Sequence, residues 1–198
     1  SPDFRILHIS DMHMIPGQQK KIDFMHSLAA LEPDLVMNTG DNLSHVDGMG
    51  PLLEALDPLM DFPGVFVPGS NCYFAPVFKN PARYLWQPRT PQMIEEGSRV
   101  PLPIERMHDA FESRGWTGLI NRYDTLNLKG LRLEFSGVDD PHLRYDEHPG
   151  FAPGAFDEGE EPSIRIGVAH APYMRTLHRF VQDGAQAIFA GHTHGGQV

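Results

Sequence analysis

Asp11 and His13 stand two residues apart, His192 and His194 stand two apart, and Asp41, Asn71 and His170 stand singly between those pairs. Carboxylate, imidazole and amide oxygen are ligands for divalent cations such as Mn²⁺, Fe²⁺ or Zn²⁺. The chain has one cysteine, Cys72, so a thiolate set is missing. Two cations ~3.5–4 Å apart need a shared carboxylate, and Asp41 is the natural bridge. Asp11, His13 and one C-terminal histidine would complete one ion; Asn71, His170 and the other would complete the second. The His-x-His pair calls for an irregular loop, which Gly191 and Gly195-Gly196 permit. A water shared by two cations loses a proton near neutral pH, and the same cations offset the charge on phosphoryl oxygens. The expected chemistry is hydrolysis of a phosphomonoester or phosphodiester by a bridging hydroxide. Taken singly, each piece has a plainer reading: a helix cap for Asp11 and His13, a turn for Asp41-Asn42, a strand-end histidine for His170.

These residues need elements to position them. Residues 4–9 alternate and are β-rich, which predicts a first strand. Residues 19–31 carry a helical apolar face that Pro33 ends, and residues 34–38 read as a buried second strand. Residues 48–60 predict a helix and 64–68 a third strand. This rhythm is that of an α/β sheet with buried parallel strands. Residues 72–103 break it with six prolines and scattered aromatics, and read as a lid-like or binding loop. A helix over 104–114 follows, then short runs at 117–120, 124–128 and 131–135, with Lys129-Gly130 as a hairpin turn. Residues 146–162 read as an exposed loop, 163–169 as a strand, 172–183 as a helix and 185–190 as a last strand. Each candidate ligand follows a strand, and open α/β sheets bind ligands beyond the carboxyl ends of their strands. Of the eleven histidines, His13, His142, His148, His170, His192 and His194 fall at strand ends or in loops.

Asp11-Met12-His13, Gly40-Asp41-Asn42, Gly69-Ser70-Asn71, His170 and Gly191-His192-Thr193-His194 together resemble the ordered motifs of the calcineurin-like metallophosphoesterases. The closest flavour is the bacterial branch whose last motif runs GHTHGGQ, as Gly191 to Gln197 do here. The resemblance implies a four-layer α/β/β/α sandwich formed as a single domain over 1–198. It also implies further strands after the last motif, so the chain is expected to lack its C-terminal strands. One motif departs from the family, which usually has Gly-Asn-His-Asp/Glu where this chain has Gly69-Ser70-Asn71-Cys72-Tyr73. Matched by residue type, Asn71 is the ligand and Cys72 stands where the histidine belongs. Matched by length, Ser70 is the ligand and Asn71 takes the histidine's place. The first is preferred, because an amide oxygen ligates better than a neutral hydroxyl. In either case the histidine is absent. Leaving-group departure then falls to a good leaving group, to another acid such as His142, or to a metal-bound water. Asn42 is expected to stand behind the metal ligands or against phosphate, and Cys72 is expected to be a small buried residue.

The net charge of −10 disfavours non-specific binding to nucleic acid or to an anionic membrane. The expected partner is a phosphoester small molecule or a lipid-linked substrate, from Phe74, Tyr84, Leu85 and Trp86 in the long loop. No apolar run approaches the ~18 residues that span a bilayer, so membrane association would come through a segment outside this chain. The compartment is left open between bacterial cytoplasm and membrane surface. The rival reading is a non-catalytic or regulatory metal-binding protein on the same scaffold.

Overall fold

The computed structural model describes residues 3–76, 100–152 and 163–194. Strands β1 (Ile6–Ile9), β2 (Leu35–Asn38), β3 (Gly64–Phe66) and β4 (Thr117–Gly118) form a parallel sheet in that order. Strands β5 (Arg122–Leu128), β6 (Leu131–Gly137), β7 (Ser163–Ala169) and β8 (Ala187–Ala190) form the second sheet. There β5 and β6 are antiparallel and the remaining pairs are parallel. Five α-helices accompany them among the described residues: α1 (Gln19–Leu28), α2 (Met49–Leu56), the short α3 (Ser70–Tyr73), α4 (Ile104–Ser113) and α5 (Met174–Gln182).

Strand alternation explains the layering. Side chains on a strand point to opposite faces in turn. Val36 and Phe66 face α1, α2 and α4, and join a core with Ile22, Met25, Leu52, Leu56, Met107 and Phe111. Leu35, Met37, Val65 and Val67 face the other way, onto Leu133, Phe135, Ile166 and Val168 of the second sheet. Phe180 of α5 packs on the far side of that sheet, over Gly167, where an added Cβ would lie 2.7 Å from the ring. The order is therefore helices, sheet, sheet, helix, as the motifs imply. Burying each large apolar side chain contributes roughly 1.5–3 kcal/mol, so two full cores can hold irregular loops at one edge.

The Lys129-Gly130 turn takes positive φ at both residues, 50° and 74°, as a two-residue hairpin turn of the right twist requires. Of the expected loop over 72–103, residues 77–99 lie outside the described residues, as do 153–162 of the 146–162 loop and 195–198 of the final motif. The two ends of the longer loop are tied to each other: Ala75 N–H donates to Val100 O at 2.9 Å and Leu102 N–H to Tyr73 O at 2.8 Å. It leaves and rejoins the fold beside α3.

Candidate metal centre

The loops after β1 and β2 are zipped together beyond their strands. Asp11 N–H donates to Gly40 O, His13 N–H to Asp41 O and Met14 N–H to Asn42 O, at 2.9, 2.9 and 2.8 Å. The loops after β7 and β8 are joined likewise by Gly191 N–H to His170 O at 2.8 Å. The two halves meet where His192 N–H donates to Asp11 Oδ2 at 2.9 Å. That approach is so close that a Cβ on Gly191 would collide with Ser10 Oγ, and one on Gly69 with Asp41 Oδ1 and the His170 ring. Only glycine leaves the room.

Nine described non-glycine residues have positive φ. Five of them are Asp11 (55°), His13 (46°), Asp41 (52°), His192 (68°) and His194 (45°). Such backbone costs about 1–2 kcal/mol per residue, and strain concentrated this way marks functional positions. At His192 the positive φ closes a three-residue turn, with Thr193 N–H donating to Gly191 O at 2.8 Å.

These loops produce two groups of side chains: Asp11, His13 and His194, and Asp41, His170 and His192, with ligand atoms within 4.8 Å of one another in each group. In the first, His13 Nε2 lies 4.0 Å and His194 Nε2 3.7 Å from Asp11 Oδ1. In the second, His170 Nε2 lies 3.2 Å from Asp41 Oδ2 and 3.3 Å from His192 Nδ1. Asp41 Oδ2 also faces the first group, 3.9 Å from His13 Nε2. Asn71 clamps Asp41, its backbone N–H donating to Oδ1 at 2.8 Å and its side-chain amide to Oδ2 at 3.0 Å.

Hydrogen bonds to the outer nitrogens of His170 and His13 orient those two rings. His170 Nδ1 lies 2.7 Å from Thr39 O, an acceptor only, so Nδ1 carries a proton and Nε2 faces Asp41. His13 Nδ1 is held by Ser44 Oγ at 3.0 Å. A ring tethered through its outer nitrogen is the usual companion of metal ligation. Burial opposes charge on His170, but its hydrogen bond and attraction to Asp41 prevail and raise its pKa. Burial likewise pushes Asp41 up, and the His170 hydrogen bond and charge more than offset it, so the carboxyl stays below its usual range. His13 and His192 are lowered, chiefly by burial, which favours the neutral ring that a metal needs.

Whether a divalent cation fits can be read from Asp11 Oδ1. It is buried and has no hydrogen-bond partner among the described residues. An unpaired buried carboxylate oxygen is costly. The two imidazole nitrogens nearest it are too far for hydrogen bonds but suit neighbours on a shared ion. Nitrogen and oxygen donors with no thiolate suit Mn²⁺, Fe²⁺ or Zn²⁺. The donor set fits.

All the expected residues thus reach one rim, with two exceptions among their neighbours. Asn42 is fully buried and turns its amide N–H toward Cys72 Sγ and Met107 Sδ, both at 3.8 Å. It is drawn inward because Met14 and Leu43 are bridged beside it and belong to the core. His148 pairs with Asp183 at 2.7 Å and packs on Phe180, apart from the other histidines. Cys72 is fully buried, and burial pushes its thiol up to about 12. His142 is exposed, but its ring centroid lies 5.3 Å from that of His192. Sequence reasoning missed Ser10, Thr39 and Ser44, which hold ligands from behind. Their only signal is adjacency to the motifs, because a backbone carbonyl such as that of Thr39 carries no residue-type signature. A depression of about 550 Å³ lined by Arg5, Asp34, Pro63 and Lys129 lies at the opposite ends of the strands and takes no part.

Comparison with known proteins gives the family and the fold. The profile of the calcineurin-like phosphoesterases matches residues 4–196. The uncharacterized protein YpbG of Bacillus subtilis (strain 168) is 26% identical over 201 residues, an alignment covering the whole chain and 63% of that relative. The chain therefore spans less than two thirds of that protein's length. The crystal structure of TT1561 of Thermus thermophilus superposes with a TM-score of 0.51 at 12% identity, over 95% of this chain and 81% of that one. At that identity it speaks for the fold alone. The chain belongs to the calcineurin-like phosphoesterase family.

Proposed function

We propose that this chain hydrolyses phosphoesters at a dinuclear divalent metal centre. The observation that carries the reading is the pair of ligand groups facing one carboxylate, with Asp11 Oδ1 buried and unpaired between two imidazoles. Asp11, His13 and His194 would hold one ion, and Asp41, His170 and His192 the other, with Asp41 facing both. Asn71 is the amide beside the second group and keeps Asp41 in place through two hydrogen bonds. Bound there, divalent cations would offset charge on the phosphoryl group and make water nucleophilic near neutral pH. The protein's own part is orientation: Thr39, Ser44 and Ser10 fix His170, His13 and Asp11 before any substrate arrives. His142, exposed against His192, is the candidate to meet the leaving group. Monoesters or diesters with a lipid-linked or other apolar portion are the proposed substrates, from the aromatic residues of the long loop.

A second reading has its own support. Position 72 sends a buried cysteine into the core instead of a side chain into the site, as in a protein that binds metal without turnover. Hydrolysis of p-nitrophenyl phosphate and bis(p-nitrophenyl) phosphate with Mn²⁺ separates the two. Turnover that Asp41→Asn lowers by roughly 100-fold or more supports catalysis, on the scale of removing an electrostatic catalytic group. No turnover, or full activity in Asp41→Asn, contradicts it.

A further inference from the structure

His142 is an exposed residue held from three directions. Its backbone N–H donates to Asp140 Oδ1 at 3.1 Å, and the next N–H, of Leu143, donates to Asp140 Oδ2 at 3.1 Å. Asp140 is fully buried and spends both carboxylate oxygens on this turn. The residue before, Pro141, has its carbonyl pinned by Arg175 Nη2 at 2.8 Å, and Arg175 is itself paired with Asp146 at 2.6 Å. The ring of His142 is held by the Tyr173 hydroxyl, 3.0 Å from Nδ1. Tyr173 in turn lies under the Arg175 guanidinium, 5.0 Å from ring centroid to Cζ. Exposed histidines ordinarily keep their rotamer freedom, because fixing a side chain costs conformational entropy. Here a buried carboxylate, an arginine and a tyrosine converge to fix one, with its ring against His192.

The placement answers a gap at position 72. Cys72 points into the core, and the next residue, Tyr73, donates its hydroxyl to Asp139 at 2.8 Å. Asp139 directly precedes Asp140, so the helix that carries Asn71 is tied to the turn that carries His142. His142 thus flanks the Asp41, His170 and His192 group, with its ring against that of His192.

We propose that His142 donates its Nε2–H to the leaving-group oxygen of the substrate, and that Tyr173, Asp140 and Arg175 are its positioning residues. This rests on the phosphoesterase reading above. With the Tyr173 hydroxyl as the donor to Nδ1, the ring's own proton lies on Nε2. That nitrogen has no hydrogen-bond partner among the described residues, so it is free to meet a ligand. The proton stays on the ring: charge growing on the departing oxygen is met by an N–H already aimed at it.

Two measurements test this. In the full chain with histidine labelled by ¹⁵N and no metal added, long-range ¹H–¹⁵N spectra should show His142 as the Nε2–H tautomer. In Tyr173→Phe, which keeps the ring under Arg175, that preference should weaken toward the bias of a free histidine. With Mn²⁺, His142→Ala and Tyr173→Phe should lower kcat strongly for phenyl esters and weakly for p-nitrophenyl esters, with KM little changed. For His142→Ala the phenyl loss should be on the order of 100-fold, the scale of one preorganised donor. An Nδ1–H tautomer in the unaltered chain, or equal losses for both leaving groups, overturns the role of His142. Absence of turnover by the unaltered chain overturns the phosphoesterase reading and this role with it. Turnover without leaving-group dependence overturns this role alone.

Discussion

Asp11 and Cys72 show how burial decides what a residue does here. Asp11 Oδ1 is buried without a hydrogen-bond partner among the described residues, open to a ligand; Cys72 is buried and already met by the Asn42 amide. A thiol pushed up to about 12 is protonated at neutral pH, so Cys72 should resist thiol reagents in the folded protein at pH 8 and react once it is unfolded. Fast labelling of the native chain contradicts that. Because the folded pKa lies above the ordinary 9.0, the stability from burying the neutral thiol is whole below pH 9.0 and is lost as pH rises toward 12. His194 offers the opposite test. Its side chain is 56% exposed and its φ is 45°, so it contributes strain with little packing. His194→Gly should leave metal-free stability unchanged or raise it by up to about 1 kcal/mol, while weakening Mn²⁺ binding. Thermal unfolding and calorimetric titration read the two effects; a clear loss of metal-free stability sinks the strain argument. At this scale the grouping of the candidate ligands was legible in the sequence, since residue type and order carry the chemistry. The direction of Asn42 was not, because its amide answers to core neighbours 30 and 65 residues away.

The elements that matter most are the short parallel strands and the loops at their carboxyl ends. Period and length made nearly every strand and helix readable, because buried strands are short apolar runs and helices show one apolar face. The short α3 was not foreseen, since four residues give no period to read. The zipping of loop to loop was equally hidden, because it is made by backbone groups common to all residues. Glycines betrayed it only indirectly. Gly69 marks where β3's loop touches Asp41 and His170, and Gly69→Ala should force that contact apart. Overpacking of this kind costs about 1–3 kcal/mol, so a fall of several degrees in Tm with weakened Mn²⁺ binding is expected. Unchanged metal affinity would mean that the loop can retreat without moving Asp41.

For the molecule as a whole, the layering brings two independent sheets to one working edge. β1, β2 and β3 run parallel, as do β6, β7 and β8, so both sheets present strand ends on the same rim. Five of the nine described non-glycine residues with positive φ lie at this rim. Layer order followed from the resemblance of the motifs more than from periodicity, because alternation tells which side chains share a face but not which sheet covers it. No helix among the described residues is long and apolar enough to cross a membrane. The two-ion reading of this rim is tested by an anomalous difference map from Mn²⁺-soaked crystals of the chain. Two peaks are expected, one among Asp11, His13 and His194 and one among Asp41, His170 and His192, with Asp41 between them. A map with no peak at this rim, or with manganese bound only elsewhere, would contradict it.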